Sequence, residues 1–169
     1  MGILPGLCKI LLHLSILLIY QFLRTSGITP VPNGILILIK RPCSSPCLNN
    51  ISYIHLINLG GRRRPIPSSV NTRWRNTAFR GYADYMETLP FKNAIEELEN
   101  IAINKPTVFM CSEAVWWSCH RSLVSDYLKI RGWKVMHITG IGKATEHPYT
   151  SAARIVNKEL NYDEPGLFS

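Results

Sequence analysis

Between Met110 and Arg121 the chain reads MCSEAVWWSCHR, which places two cysteines, a glutamate, a histidine and an arginine within twelve residues. Each type can do chemistry. A cysteine thiolate is a nucleophile and a metal ligand. Glutamate and histidine move protons. Arginine grips a phosphate or carboxylate through two parallel hydrogen bonds. Cys111, Glu113, Cys119, His120 and Arg121 are therefore the candidate catalytic set. Either cysteine can serve as the nucleophile, with Glu113 or His120 as the proton carrier and Arg121 as the anion clamp. The plainer reading is that Cys111 and Cys119 are packing residues, because buried cysteines are common and mostly inert. The polar neighbours favour chemistry.

Zinc is the second possibility, since Cys111, Cys119 and His120 are acceptable ligands. The spacing C-x7-C-H is not that of a zinc finger. On a regular helix, adjacent side chains such as Cys119 and His120 also diverge by about 100°. These residues point to no cofactor other than zinc.

A second cluster is basic and aromatic. Arg62, Arg63 and Arg64 follow Gly60-Gly61, and Arg73, Arg75 and Arg80 are interleaved with Trp74, Phe79 and Tyr82. Guanidinium groups among rings suit a phosphate backbone with stacked bases. The rings can equally pack the segment onto the domain, with the arginines held by Asp84, Glu87 or backbone carbonyls. Trp116 and Trp117 suit packing better than a pocket wall. Gly140-Ile141-Gly142-Lys143, after a strand, is a weak phosphate-loop signal. The net charge of +8 points to an anionic partner, either a phosphorylated small molecule or nucleic acid.

Several elements must position these groups. Ile51–Leu56 reads as a strand and 60–69 as a Gly/Arg/Pro loop. Phe91, Ala94, Ile95, Leu98, Ile101 and Ala102 recur at helical spacing, with Glu96, Glu97 and Glu99 expected to face water. Pro106–Cys111 reads as a buried strand. Leu123, Val124, Tyr127 and Leu128 mark the apolar face of a helix that stops at Gly132. Trp133–Ile138 is the next strand, and Thr150 or Ser151 is expected to cap a last helix carrying Ala152, Ile155 and Val156. Strand, helix, strand over 106–138 is a βαβ unit with parallel strands. Cys111 lies at a carboxyl strand end, where open α/β sheets collect ligands.

The first fifty residues differ in kind. They contain no Asp or Glu, and nineteen of them are Leu or Ile. Ile10–Leu23 resembles a signal or membrane segment, but a span needs about 20 apolar residues and no A-x-A cleavage site follows. Gly34–Lys40 would make a buried strand. Cys43 and Cys47 resemble half a zinc clamp without its other half. Five cysteines in no regular framework argue against a disulfide-stapled secreted module and for reduced thiols in the cytoplasm.

Three stretches together carry a family resemblance: YIHLINLGGRRRP (Tyr53–Pro65), TRWRNTAFRGYADYM (Thr72–Met86) and CSEAVWWSCHR (Cys111–Arg121). They resemble the conserved blocks of the domain of unknown function 488 family, over roughly residues 51–158. The resemblance implies a fold and a site more firmly than a reaction. Members of that family usually open with a strand ending in GHST and a later D-V/I-R, then P-x-S-x-x-P-x-F-N. None of these occurs in residues 1–50. Read one base back, however, the codons for the first six residues permit GHSTR. Those for Arg24 to Cys43 permit DIRHYPGSQRYPHFNKEAL. Residues 1–50 are therefore expected to be an out-of-frame translation joined to a true domain at 51–169, which would void the membrane-like segment as evidence of a membrane partner.

The sequence thus leads to one α/β domain, expected to be three-layered and Rossmann-like with a mainly parallel sheet and an aberrant N-terminal portion. Its expected role is a small cytosolic enzyme using thiol or metal chemistry on a phosphorylated or nucleotide-like substrate. The alternative is a nucleic-acid-binding accessory protein using Arg62, Arg63, Arg64, Arg73, Trp74, Arg75, Arg80 and Tyr82, with structural cysteines.

Overall fold

The computed structural model describes residues 16–20, 35–40, 51–104, 107–111, 113, 115–140 and 143–164. Six strands form one sheet: β1 (Ile16–Tyr20), β2 (Ile35–Lys40), β3 (Ile51–Leu56), β4 (Thr107–Met110), β5 (Lys134–Gly140) and β6 (Lys143–Glu146). Their order is β3-β2-β4-β1-β5-β6. β1 pairs in parallel with β4 on one side and β5 on the other. The pairings β2–β3, β2–β4 and β5–β6 are antiparallel.

The chain is therefore α/β, but the expected mainly parallel, Rossmann-like sheet is not what forms. The βαβ reading held for residues 106–138 alone. There β4 and β5 both run parallel to the strand between them, and the helix α3 (Arg121–Ile130) makes the crossover. Extending that pattern to the whole sheet fails for a physical reason at one edge. Only residues 141–142 join β5 to β6, far fewer than the dozen or so that a parallel crossover needs. Of the weak phosphate-loop signal at 140–143, Ile141 and Gly142 lie outside the described residues, and strand β6 rather than a helix follows.

Two further helices, α1 (Thr77–Met86) and α2 (Leu89–Asn104), precede β4. α1 starts where the Asn76 side chain accepts hydrogen bonds from the Ala78 and Phe79 amides, as an N-cap does. On α2, Phe91, Ala94, Ile95, Leu98 and Ala102 are buried at three- and four-residue intervals. They join Tyr82 and Met86 of α1, Leu123, Val124 and Leu128 of α3, Phe109 of β4 and Val135 of β5 in one core. Each fully buried large side chain contributes roughly 1.5–3 kcal/mol. Glu99 was expected in water. It is buried instead, being four residues on from Ile95, and it accepts from Arg131 at 2.7 Å through both nitrogens and from the Trp133 indole at 2.9 Å.

The expected last helix is absent. Ser151 and Ala152 make a turn, then β7 (Arg154–Val156) and β8 (Glu159–Asn161) form a hairpin. Asn157 and Lys158 at its tip both have positive φ, 51° and 64°, the geometry that two-residue hairpins favour. β-branched Ile155 and Val156 fit that strand better than a helix. Among the described residues no helix is long and apolar enough to cross a membrane. Cys8, Cys43 and Cys47 lie outside the described residues, as does all of Ile10–Leu23 except its β1 portion. Ile35–Lys40 forms β2, as the strand pattern of 34–40 predicts.

Candidate functional site

β4 delivers Cys111 at its carboxyl end. The chain then runs through a 3-10 turn at Trp116–Ser118 and reaches Cys119 in extended backbone, φ −139° and ψ 160°. His120 turns into α3 with φ −55° and ψ −16°. Cys119 and His120 therefore precede the helix, and the 100° divergence expected of helical neighbours does not apply to them. The break lets both point toward Cys111.

The two sulfurs are 3.1 Å apart. The Nε of Arg121 donates to Cys119 Sγ at 3.1 Å, and the Arg121 backbone amide donates to the same sulfur at 3.3 Å. The Cys119 sulfur thus sits at the N-terminus of α3, where the helix dipole favours negative charge. A second guanidinium nitrogen of Arg121 donates to the Glu113 carbonyl at 2.7 Å, and the Glu113 amide donates to Cys111 Sγ at 3.4 Å. Glu113 enters the cluster through its backbone, while its side chain is exposed. Arg121 has no exposed surface, Cys119 is buried and Cys111 is half-buried.

These contacts divide the two thiols. Burial raises the pKa of Cys119, but hydrogen bonds from Cys111 and His120 and the charge of Arg121 outweigh it and hold the thiol far below its ordinary range. Cys111 goes the other way, pushed up first by its hydrogen bond to Cys119 and then by burial. Both shifts act in the same sense and favour negative charge on the sulfur that Arg121 contacts. Cys111 Sγ, Cys119 Sγ and a His120 ring nitrogen lie within 4.8 Å of one another, a donor set compatible with zinc.

His120 is seated by two segments distant in sequence. Its ring lies 5.1 Å from that of Tyr82, and a side chain at Gly61 would meet its Nδ1 at 2.7 Å. Gly81 is a second forced close approach. A Cβ there would come within 2.5 Å of the Arg63 carbonyl and Arg64 backbone. The glycines of GGRRRP and RGYADYM thus dock the arginine loop between α1 and His120.

The basic cluster divides in two. Arg73 donates to the carbonyls of Ala152 and Ser151, Arg80 to that of Trp74, and Arg63 lies 3.9 Å over the Tyr85 ring. Trp74 packs on Phe79 and Tyr162, and Tyr82 is buried with its hydroxyl on the Leu59 carbonyl. Arg62, Arg64 and Arg75 are exposed. Among the described residues Asp84 pairs with no arginine. It accepts from the Ile66 amide, Ser69 and Asn71, and so holds the loop that follows the arginines.

Sequence reasoning missed three residues. Asp126, His147 and His137 form a buried hydrogen-bonded row, with His147 Nε2 at 2.9 Å from Asp126 Oδ1 and His137 Nε2 at 2.7 Å from His147 Nδ1. Trp116, from the loop between the two cysteines, stacks on His137 at 3.9 Å with the rings 8° from parallel. Burial first, then His147 and Arg121, lower the pKa of His137 to about 3. The residues are scattered over α3, β5 and the segment after β6, so no spacing announces them.

Residues 44–128 match the family described as Domain of unknown function DUF488. No curated protein and no solved structure matches the chain. The matched region contains Gly61, Gly81, Cys111 and Cys119–Arg121 and stops short of His137 and His147.

Proposed function

The chain belongs to the DUF488 family, and on that premise we propose that it is a small thiol enzyme acting on a phosphorylated or nucleotide-like substrate. The observation that carries the reading is the 3.1 Å approach of Cys111 and Cys119, with Arg121 bonded to the inner sulfur. Two sulfurs sharing one proton supply a thiolate at neutral pH, where an isolated cysteine with pKa about 8.5 supplies little. Cys119 carries the thiolate and is the nucleophile, and Cys111, the half-buried member, keeps its proton and hydrogen-bonds that thiolate. Arg121 and the start of α3 stabilise the charge while it resides on Cys119.

The anionic substrate class rests on location. The arginine run begins one residue after Gly61, which touches His120. Exposed Arg62 follows directly on Gly61, which packs against the His120 ring. Nucleic acid is the weaker reading, because Trp74 and Tyr82 are engaged in packing and offer no free faces for stacking bases. Zinc is also the weaker reading. The Arg121 guanidinium already occupies Cys119 Sγ, and a second cation there would be repelled.

Alkylation with iodoacetamide, mapped by mass spectrometry across pH 5–9, tests the proposal. Modification of Cys111 or Cys119 that stays fast at pH 6 is expected. Reaction only above about pH 8.5, the ordinary thiol range, would leave a binding module with inert cysteines. One equivalent of zinc retained through gel filtration, with both cysteines protected, would replace the thiol reading with the metal one.

A further inference from the structure

The row Asp126–His147–His137 has a defined polarity. Asp126 and His147 have no exposed surface, and His137 has 1%. Asp126 accepts from His147 Nε2 at 2.9 Å, from the Thr150 amide at 2.9 Å, from the Thr150 hydroxyl at 2.6 Å and from the Tyr162 hydroxyl at 2.9 Å. His147 therefore keeps a proton on Nε2, and one further proton lies between its Nδ1 and His137 Nε2. At the far end, His137 Nδ1 is buried without a hydrogen-bond partner among the described residues. Leaving such a nitrogen unpaired costs about 1–3 kcal/mol, and an apolar ring at that position would avoid the cost.

We propose that this row is a proton-accepting arm of the thiol site: His137 takes a proton at Nδ1 and passes the one on its Nε2 to His147 Nδ1. One N–H bond forms at His137 Nδ1, one breaks at its Nε2, and one forms at His147 Nδ1. His137 ends neutral with its proton on the other nitrogen. The positive charge ends on His147, against the carboxylate of Asp126. The surrounding charges set that direction. Arg121 opposes a positive charge on His137, and His147 is the ring that contacts the Asp126 carboxyl group.

The row is joined to the thiol site by one ring contact and lies close to its level in the sheet. Trp116, stacked on His137, belongs to the loop between Cys111 and Cys119. In the sheet, Phe109 and His137 both pair with Ile19 of β1, so His137 is level with the strand position two residues before Cys111. The charged and titratable groups around the row are Arg121, Asp126 and Lys129 on α3, Tyr149 on the segment after β6, and Tyr162 after β8. The inference rests on the thiol reading only for what donates the proton, which would be the acidic X–H group of the bound substrate.

Long-range proton–nitrogen NMR of the full chain labelled with 15N-histidine, recorded from pH 9 to pH 5, reads the tautomers without a substrate. Resonances are assigned with His137→Asn and His147→Asn. At high pH, His137 should be protonated on Nε2 with Nδ1 bare. On acidification a single proton should be taken up, leaving His147 doubly protonated and His137 switched to the Nδ1–H form at the same midpoint. Asp126→Asn should lower that midpoint by about one unit or more, a tenfold loss of proton affinity. A His137 that keeps one tautomer while His147 titrates, or two rings with separate midpoints, would overturn the relay. The wild-type titration decides this even if Asp126→Asn fails to fold. Neither result depends on whether Cys119 is a thiolate, so loss of the relay and loss of the thiol reading are seen separately.

Discussion

The Nε of Arg121 lies 3.1 Å from the sulfur of Cys119, at a place where the arginine has no exposed surface. A buried cation held against a thiol is costly unless the thiol gives up its proton. Each therefore accounts for the other's state.

Arg121→Met should slow alkylation of the Cys111–Cys119 pair at pH 6.5 by about tenfold or more, because removing the guanidinium lets the Cys119 pKa rise. Cys119 is lowered in the folded state. Its contribution to stability is therefore present above the unfolded thiol value of about 8.5 and is lost as pH falls through the folded value. The variant should show a smaller part of that acid-side loss. A pH–rate profile superimposable on that of the unmodified protein would remove Arg121 from the mechanism.

Hydrogen peroxide should join Cys111 to Cys119 as a disulfide before it carries either sulfur to a sulfinic acid, because the sulfurs are 3.1 Å apart and the thiolate reacts first. Peptide mapping under non-reducing conditions reports the bond. Sulfinic acid on Cys119 beside an untouched Cys111 would mean that the pair does not meet in solution.

His137 is buried neutral, with its pKa down at about 3. Unfolding restores an ordinary value of about 6.5, so the unfolded chain binds the extra proton. Stability should be flat above pH 6.5 and fall as pH drops toward 3, by about 1.4 kcal/mol per unit from this group. Urea midpoints at pH 7.5, 6.0 and 5.0 measure the slope. His137→Phe should flatten it, and a slope unchanged in that variant would assign the loss to other groups.

Gly81→Ala should destabilise more than Gly61→Ala. At Gly81 the new methyl meets the backbone of Arg63 and Arg64 at 2.5 Å, which can yield only by moving the loop. At Gly61 it meets the His120 ring at 2.7 Å, which can swing aside. Overpacking typically costs about 1–3 kcal/mol. Thermal melts should rank the two in that order. Gly61→Ala should instead change thiol reactivity, because His120 helps set the Cys119 pKa.

The frame of residues 1–50 has a test that needs only the gene. If GHSTR and DIR lie one base back, the codon for Gly2 must end in C and that for Arg24 in G. Any other base at either position ends the out-of-frame reading of residues 1–50.

The sequence by itself was enough for β3, β4, α2, α3 and β5. Their apolar spacing is local, as with Phe91, Ile95 and Leu98, and Gly132 stops α3 at φ +92°. It also delivered Cys111 and Cys119–Arg121, which one short loop confines to the end of a strand. Sequence did not decide which arginines are free. Arg73 is held by carbonyls 78 and 79 residues away, and no local pattern encodes such a partner. Nor did it decide the fate of Glu99, whose charge is neutralised by Arg131 from another helix end. The row of Asp126, His147 and His137 was invisible for the same reason. Hydrogen bonds between residues 10 to 36 apart exist only once α3, β5 and the chain on either side of the last hairpin are packed together. Residue type and spacing specify what a segment can do. Packing alone decides which polar groups lose their water and must find each other.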